Sequence, residues 1–132
     1  MLTAILALVL LFHGVGHVLF LGPALRLVDW AGQTGQSWLL TSTLGDGPSR
    51  AVGAIVWTAS IVLFVAGASG LLAGQPWWRS VTVAGAIVSL VGIVVSWDGL
   101  ATTNAVFALV VDVLVLWALL VAHWPSSEPV GS

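Results

Sequence analysis

The segment LTAILALVLLFHGVGHVLFL, residues 2–21, contains only apolar residues and glycine apart from Thr3, His13 and His17. A helix rises 1.5 Å per residue, so about 20 residues cross a hydrocarbon core about 30 Å thick. The residues before the run include no Lys or Arg, and the run exceeds the roughly 7 to 15 apolar residues of a secretory signal. We therefore expect a retained transmembrane helix.

Three further runs have the same character, at 51–72, 81–97 and 105–122. Of the 132 residues, 59% are hydrophobic and 6% are charged, and the mean hydropathy is +1.12. No ordinary water-soluble domain combines these values. The sequence predicts an all-α integral membrane protein, a single four-helix transmembrane bundle over residues 1–132. Its helices lie at about 2–21, 51–72, 81–97 and 105–122, with a long interfacial loop between the first two and a polar tail at 125–132.

The residue types that are missing exclude several classes of function. The chain has no cysteine, which excludes thiolate metal sites, iron–sulfur clusters and disulfide exchange. It has no lysine, which excludes a retinal Schiff base. The net charge of -2 provides no basic surface for nucleic acid, so we expect none as a partner.

The loop between the first two runs, residues 22–49, is long for a compact bundle. Its segment PALRLVDWAG, residues 23–32, could form a short helix that begins at Pro23. We expect this loop to lie in the membrane interface as a cover over one end of the bundle.

Small residues indicate where the helices pack, because close backbone approach drives helix association in lipid. On the third run they form a stripe, which we interpret as packing: Gly85, Ser89, Gly92 and Ser96. On the second run, the edge formed by Gly67, Gly70 and Gly74 is a candidate contact for a homodimer.

Polar and ionisable groups gather at the end of the bundle that the long loop covers. Six of them form the predicted ligand site: His13, His17, Arg50, Asp98, Asn104 and Asp112. Counted along their helices, His13 and Asp112 both lie roughly 12 Å from that end, so the two could pair. A charged group inside the bilayer costs about 2.5 to 3.5 kcal/mol on insertion scales, so Asp112 needs a partner or a proton.

The spacing of His13 and His17 directs two imidazoles to one side of a helix. With Asp112 or Asp98 they could form a two-histidine, one-carboxylate set for a divalent metal such as zinc or non-haem iron, which leaves a metal cofactor open. The H-E-x-x-H pattern of zinc enzymes is absent, because Gly14 follows His13. A haem needs axial ligands from opposite sides, which this spacing cannot supply.

Three motifs carry a resemblance that covers all four runs: HGVGH at 13–17, SR at 49–50, and SWDG at 96–99 followed by Asn104. The chain resembles a group of uncharacterised small bacterial four-span membrane proteins with an H-G-x-x-H motif late in the first helix. The resemblance implies a multi-pass protein of the bacterial plasma membrane, and an even number of spans places both termini on the same side. It implies no activity.

Three functions remain open from the sequence. The first is binding or transport of a small ligand in the polar pocket, coupled to protons through His17, Asp98 or Asp112. The second is a metal-dependent membrane enzyme that uses His13 and His17 with a carboxylate. The third is an accessory subunit of a larger membrane complex, in which the polar network is structural.

Overall fold

A computed structural model describes residues 1–30 and 32–126 of the chain. Every named element in this part is helical. The α-helices are α1 Leu2–Gly16, α2 Val18–Ala24, α3 Leu40–Leu44, α4 Asp46–Leu72, α5 Trp78–Val95 and α6 Thr102–Leu116. A 3-10 turn, Trp97–Gly99, precedes α6, and a π-helical turn, Trp117–Val121, extends it.

Within the described residues, four segments are long and apolar enough to cross a membrane, which confirms the predicted all-α four-helix bundle. They are the first span, Leu2–Ala24, the second, Asp46–Leu72, the third, Trp78–Val95, and the fourth, Thr102–Val121. The second span begins earlier than the predicted residue 51, because its first turn holds Pro48, which the first turn of a helix tolerates, and Asp46, which favours the positive end of the helix dipole. Of the predicted polar tail, 125–132, all but the first two residues lie outside the described part.

The spans pack as successive antiparallel neighbours. The second span packs most extensively, against the first and the third, whereas the fourth packs mainly against the third. Gly14 of the first span lies where an added Cβ would be 2.6 Å from the Cβ of Phe64, and Gly92 of the third lies equally close to the side chains of Val56 and Trp57. The first and fourth spans make few contacts with each other, which leaves a fissure between them.

Two of the three glycines of the edge offered for a homodimer are covered within the chain. Gly67 and Gly70 are buried. A Cβ added to Gly67 would meet Thr82, and one added to Gly70 would meet Trp77, both on or beside the third span. Gly74 is exposed, and no atom lies within 4 Å of a Cβ added there.

Two apolar clusters form the core, one near each end of the bundle. The cluster near the loop end contains Phe20, Ala24, Trp57, Ile93, Leu100, Ala105 and Ala108. The cluster near the opposite end contains Ala7, Leu10, Phe64, Ala68, Leu71 and Ala86. His13 and His17 lie between them along the first span, so a polar layer separates the two clusters.

The predicted helix from Pro23 is wrong, because Pro23 lies inside the end of α2 and the next helix begins only at Leu40. Proline has no N–H, so it cannot donate to the carbonyl of Leu19 four residues earlier. The buried side chain of Gln33 supplies that hydrogen bond, with Nε2 2.5 Å from the Leu19 oxygen. The loop is thereby fastened to the first span at the point where Pro23 breaks the helix ladder.

The same loop covers the last carbonyl groups of the third span. Ser37 Oγ donates to the oxygen of Val95 at 2.5 Å, and the indole N–H of Trp38 donates to that of Val94 at 2.8 Å. The backbone N–H of Trp38 donates to Asp98 at 2.8 Å. Helix ends leave such carbonyls without partners, so these bonds hold the cover in place.

Candidate functional site

A closed chain of four contacts joins three of the spans in the polar layer. Nε2 of His13 lies 2.7 Å from Oδ1 of Asp112 on the fourth span. Ser89 Oγ, on the third span, lies 2.5 Å from the other Asp112 oxygen, Oδ2, and 2.7 Å from Nε2 of His17. Nδ1 of His17 lies 2.9 Å from the backbone oxygen of His13, which closes the chain. We call these four residues the polar network.

The polar network is almost completely withdrawn from solvent. Ser89 and Asp112 are 0% exposed, His17 is 1% exposed and His13 is 9% exposed. The ring of Phe64 lies parallel to His17 at 5.8 Å and meets His13 edge-on at 4.7 Å. In such apolar surroundings both a net charge and an unpaired polar atom cost free energy. The number of protons in the polar network therefore decides which atoms donate and which accept.

Counting protons fixes the hydrogen-bond roles. Each of the four contacts needs one proton, and the polar network in its uncharged form has four to give: one from each imidazole, one from Ser89 and one from the Asp112 carboxyl group. All four are used when every contact is a hydrogen bond. Nδ1 of His13 takes part in none of the contacts, so it is left without a proton and can only accept.

Two arrangements satisfy this count. In the first, Asp112 is protonated and donates to Ser89, whose hydroxyl donates to Nε2 of a neutral His17. In the second, a protonated His17 donates to Ser89, whose hydroxyl donates to an Asp112 carboxylate. They differ by the shift of two protons along two short hydrogen bonds, so the polar network can move a proton between His17 and Asp112 without a change in net charge.

A cavity of about 230 Å³ adjoins the polar network on the side of the fissure. Its walls come from the first and fourth spans and include Phe12, His13, His17, Asn104 and Phe107. Among the described residues, no buried side-chain nitrogen or oxygen lacks a hydrogen-bond partner. Since Nδ1 of His13 bonds to none of them, it must be accessible, and the cavity is where His13 borders open space. We call it the polar cavity.

The six residues predicted as one site separate into two groups. His13 contacts Asp112, as their equal depth predicts, and His17 joins them through Ser89. Asn104 lines the polar cavity together with the two histidines.

Arg50 and Asp98 lie apart from the polar network. The Arg50 guanidinium donates to Asp46, in the first turn of its own helix, at 3.0 Å and to the backbone oxygen of Pro23, near the end of the first span, at 2.8 Å. Asp98 accepts from the backbone N–H of Trp38 in the loop. Depth alone put them with the histidines, but both sit at helix ends, where nearer partners meet them.

Ser89 is the member of the polar network that sequence reasoning assigned to packing only. It belongs to the stripe Gly85, Ser89, Gly92, Ser96, and a serine in such a stripe usually bonds to its own helix. Ser60 does so at 3.0 Å, to the oxygen of Val56. One sequence feature could have identified Ser89: it lies near the middle of the third span, at about the depth of Asp112.

The three groups His13, His17 and Asp112 could also hold a metal ion. One ligand atom from each lies within 4.8 Å of the others, and all three residues are buried. Two histidines and one carboxylate suit zinc or non-haem iron. Binding would require these side chains to exchange their present hydrogen bonds for metal bonds and to release protons.

Comparison of the chain with protein-family models, with curated proteins and with solved structures found no match. We therefore infer the function from the geometry of the polar network and its cavity.

Proposed function

We propose that this multi-pass membrane protein binds a small ligand inside the bilayer, at the polar cavity, through Nδ1 of His13. The observation that carries the proposal is the pairing of His13 Nε2 with the buried Asp112 at 2.7 Å, which leaves the other ring nitrogen for the cavity. Asp112 orients the ring, as a carboxylate behind an imidazole does in many sites. The ligand would therefore present a hydrogen-bond donor.

A route for proton exchange with the polar cavity follows from the same geometry. As a proton from the cavity moves to Nδ1 of His13, the Nε2 proton can move to Oδ1 of an ionised Asp112, so His13 itself gains no net charge. Ser89 connects Asp112 to His17, which holds the proton that balances the ionised Asp112 in the second arrangement. This connection supports a proton-coupled form of binding or transport.

Native mass spectrometry of protein extracted in lipid nanodiscs tests the proposal. His13→Gln is the informative variant, because a glutamine amide can replace Nε2 against Asp112 but has no second nitrogen for the cavity. His123→Gln is the matched control, since His123 lies beyond the fourth span. We expect a co-purified small molecule in the wild type and in the control, and its loss in His13→Gln.

Two results would contradict the proposal. One is a bound molecule retained in full by His13→Gln. The other is the absence of any bound molecule from the wild type and both variants. If His13→Gln then lowers only the stability, the result would favour a structural role of the polar network in a larger complex.

The second candidate is a metal-dependent membrane enzyme, favoured by the convergence of His13, His17 and Asp112. Calorimetric titration of the purified protein with Zn²⁺ and with Fe²⁺ tests it. A metal site predicts one ion per chain, release of protons on binding, and loss of binding in His17→Ala but not in His123→Ala. Binding that His17→Ala leaves unchanged would eliminate this site.

The proposal also covers the topology, the membrane and the self-association of the protein. Four spans would place both termini on the same side, and the resemblance favours the bacterial plasma membrane. Self-association would need a face other than Gly67 and Gly70, which the third span covers.

A further inference from the structure

A second cavity lies in the fissure between the first and fourth spans. Its volume is about 250 Å³, and its lining is almost wholly apolar. The lining includes Leu6, Leu10, Val111, Leu114, Ala118 and Trp124. We call it the apolar cavity. It lies toward the end of the bundle opposite the loop, between the same two spans that line the polar cavity.

The two cavities follow each other along one groove. Leu10 of the apolar cavity precedes His13 of the polar cavity by three residues, and Val111 follows Ala108 by three, so about one helical turn separates the two linings on each span. Residues three apart share a helix face. The groove therefore runs from the level of Asn104 past His13 to the level of Ala118.

The groove opens sideways, toward the surface that a bilayer would cover. Phe12 and Phe107 stand on either side of the polar cavity and are 72% and 69% exposed. Both rings lie within spans and point away from the packed interior of the bundle, so they would contact the hydrocarbon of a membrane. A molecule dissolved in the lipid can reach His13 between these rings without crossing the loop.

The polar end of the groove determines which lipid headgroup can bind there. Nδ1 of His13 is an acceptor, so a carboxylate, which has no proton to donate, would meet it unfavourably. The polar network has no net charge in either arrangement, so it offers no counter-charge to an ammonium group. A hydroxyl group can donate to Nδ1 without carrying a charge into the bilayer, which makes it the best match.

We propose that the groove binds a hydroxyl-headed, single-chain lipid, with its hydroxyl group at His13 and its chain in the apolar cavity. This inference rests on the proposed function, because it names the ligand class of the same site. The chain would follow the first span from His13 to Leu6, about 10 Å at 1.5 Å per residue.

Photocrosslinking of the purified full-length chain in liposomes tests the inference. The probe is a hexadecanol that carries a diazirine in its chain, and the labelled peptides are identified by mass spectrometry. We expect label at Leu6, Leu10, Val111 and Ala118, and competition by hexadecanol but not by hexadecane or palmitate. Removal of one hydrogen bond by His13→Gln should reduce labelling about fivefold, whereas His123→Gln should leave it unchanged.

A second variant tests the other end of the groove. Ala118→Phe fills the apolar cavity without a contact to the polar network, so it should abolish label at Leu6 and Val111. If Ala118→Phe does not fold, the competition experiment and His13→Gln remain decisive.

Two outcomes would overturn the inference. Label spread equally over lipid-facing residues of the second and third spans, such as Ile55 and Val91, would show bulk partition into the bilayer. Equal competition by hexadecane would show that the hydroxyl group is not recognised. Loss of the co-purified molecule in His13→Gln combined with either result would refute the ligand class and leave the ligand site itself in place.

Discussion

Replacement of Asp112 separates the two ways in which the polar network can be satisfied. Asp112→Ala removes both hydrogen bonds of the carboxyl group, so His13 Nε2 and Ser89 Oγ each lose their partner on the fourth span. Asp112→Asn instead imitates the protonated carboxyl group. Its oxygen accepts from His13, its amide donates to Ser89, and the Ser89 hydroxyl donates to His17, so all four contacts persist.

The expected loss in the free energy of unfolding follows from the number of hydrogen bonds lost and the number of polar groups left without a partner. Interhelical hydrogen bonds in membranes average about 0.6 kcal/mol, so two lost bonds give about 1.2 kcal/mol. Two buried polar groups left without partners would cost about 1 to 3 kcal/mol each in a water-soluble protein. Since both partners are nearly inaccessible, we expect Asp112→Ala to lower the free energy of unfolding by about 2 to 4 kcal/mol, and Asp112→Asn by about 1 kcal/mol or less.

Unfolding in mixed bicelles by added SDS measures these values, with the fluorescence of the eight tryptophans as the signal. Asp29→Asn is the control, because Asp29 is an exposed carboxylate in the loop and should change stability by less than about 0.5 kcal/mol. Equal destabilisation by Asp112→Asn and Asp112→Ala would refute the first arrangement, in which Asp112 is protonated and donates to Ser89. A loss below about 0.5 kcal/mol for Asp112→Ala would mean that the network contributes nothing measurable.

Three further substitutions probe the packing, the relay residue and the loop. Gly14→Ala should destabilise by about 1 to 3 kcal/mol because its Cβ would overlap the second span, whereas Gly16→Ala, with open space around it, should be neutral in the same SDS titration. Ser89→Ala should destabilise by at least about 1 kcal/mol more than Ser60→Ala, whose hydroxyl bonds only to its own helix; equal losses would contradict the relay. Gly35→Ala, at φ +70° and with a Cβ 2.5 Å from the Arg50 guanidinium, should loosen the cover and speed proteolysis of the loop; an unchanged cleavage rate would contradict this role.

The sequence predicts the four spans because their signal is composition over about 20 residues, which local context does not alter. It also predicts the pairing of His13 with Asp112, because position along a helix translates directly into depth. The loop could not be predicted in the same way. Its conformation depends on Gln33, which replaces the hydrogen bond that Pro23 removes from Leu19, and such a contact has no local sequence signal.

The composition of the candidate site shows the limit of depth as a guide. Depth places Arg50 and Asp98 at the same end of the bundle as the histidines, yet it does not say which way a side chain turns. Arg50 turns to Asp46 in its own helix, and Asp98 meets Trp38 of the loop. Ser89 turns inward although its neighbours in the stripe are packing residues, so only the tertiary arrangement reveals it.

Solid-state ¹⁵N and ¹³C NMR of the protein in lipid bilayers, with labelled histidine and aspartate, shows directly which nitrogen of His13 carries the proton. The chain has three histidines, so the three single His→Gln variants assign the signals. We predict that His13 carries its proton on Nε2, in contact with the Asp112 carboxyl carbon, and that its Nδ1 carries no proton and gives a signal that shifts when hexadecanol is added. A proton on Nδ1 of His13, or no contact between His13 and Asp112, would contradict it.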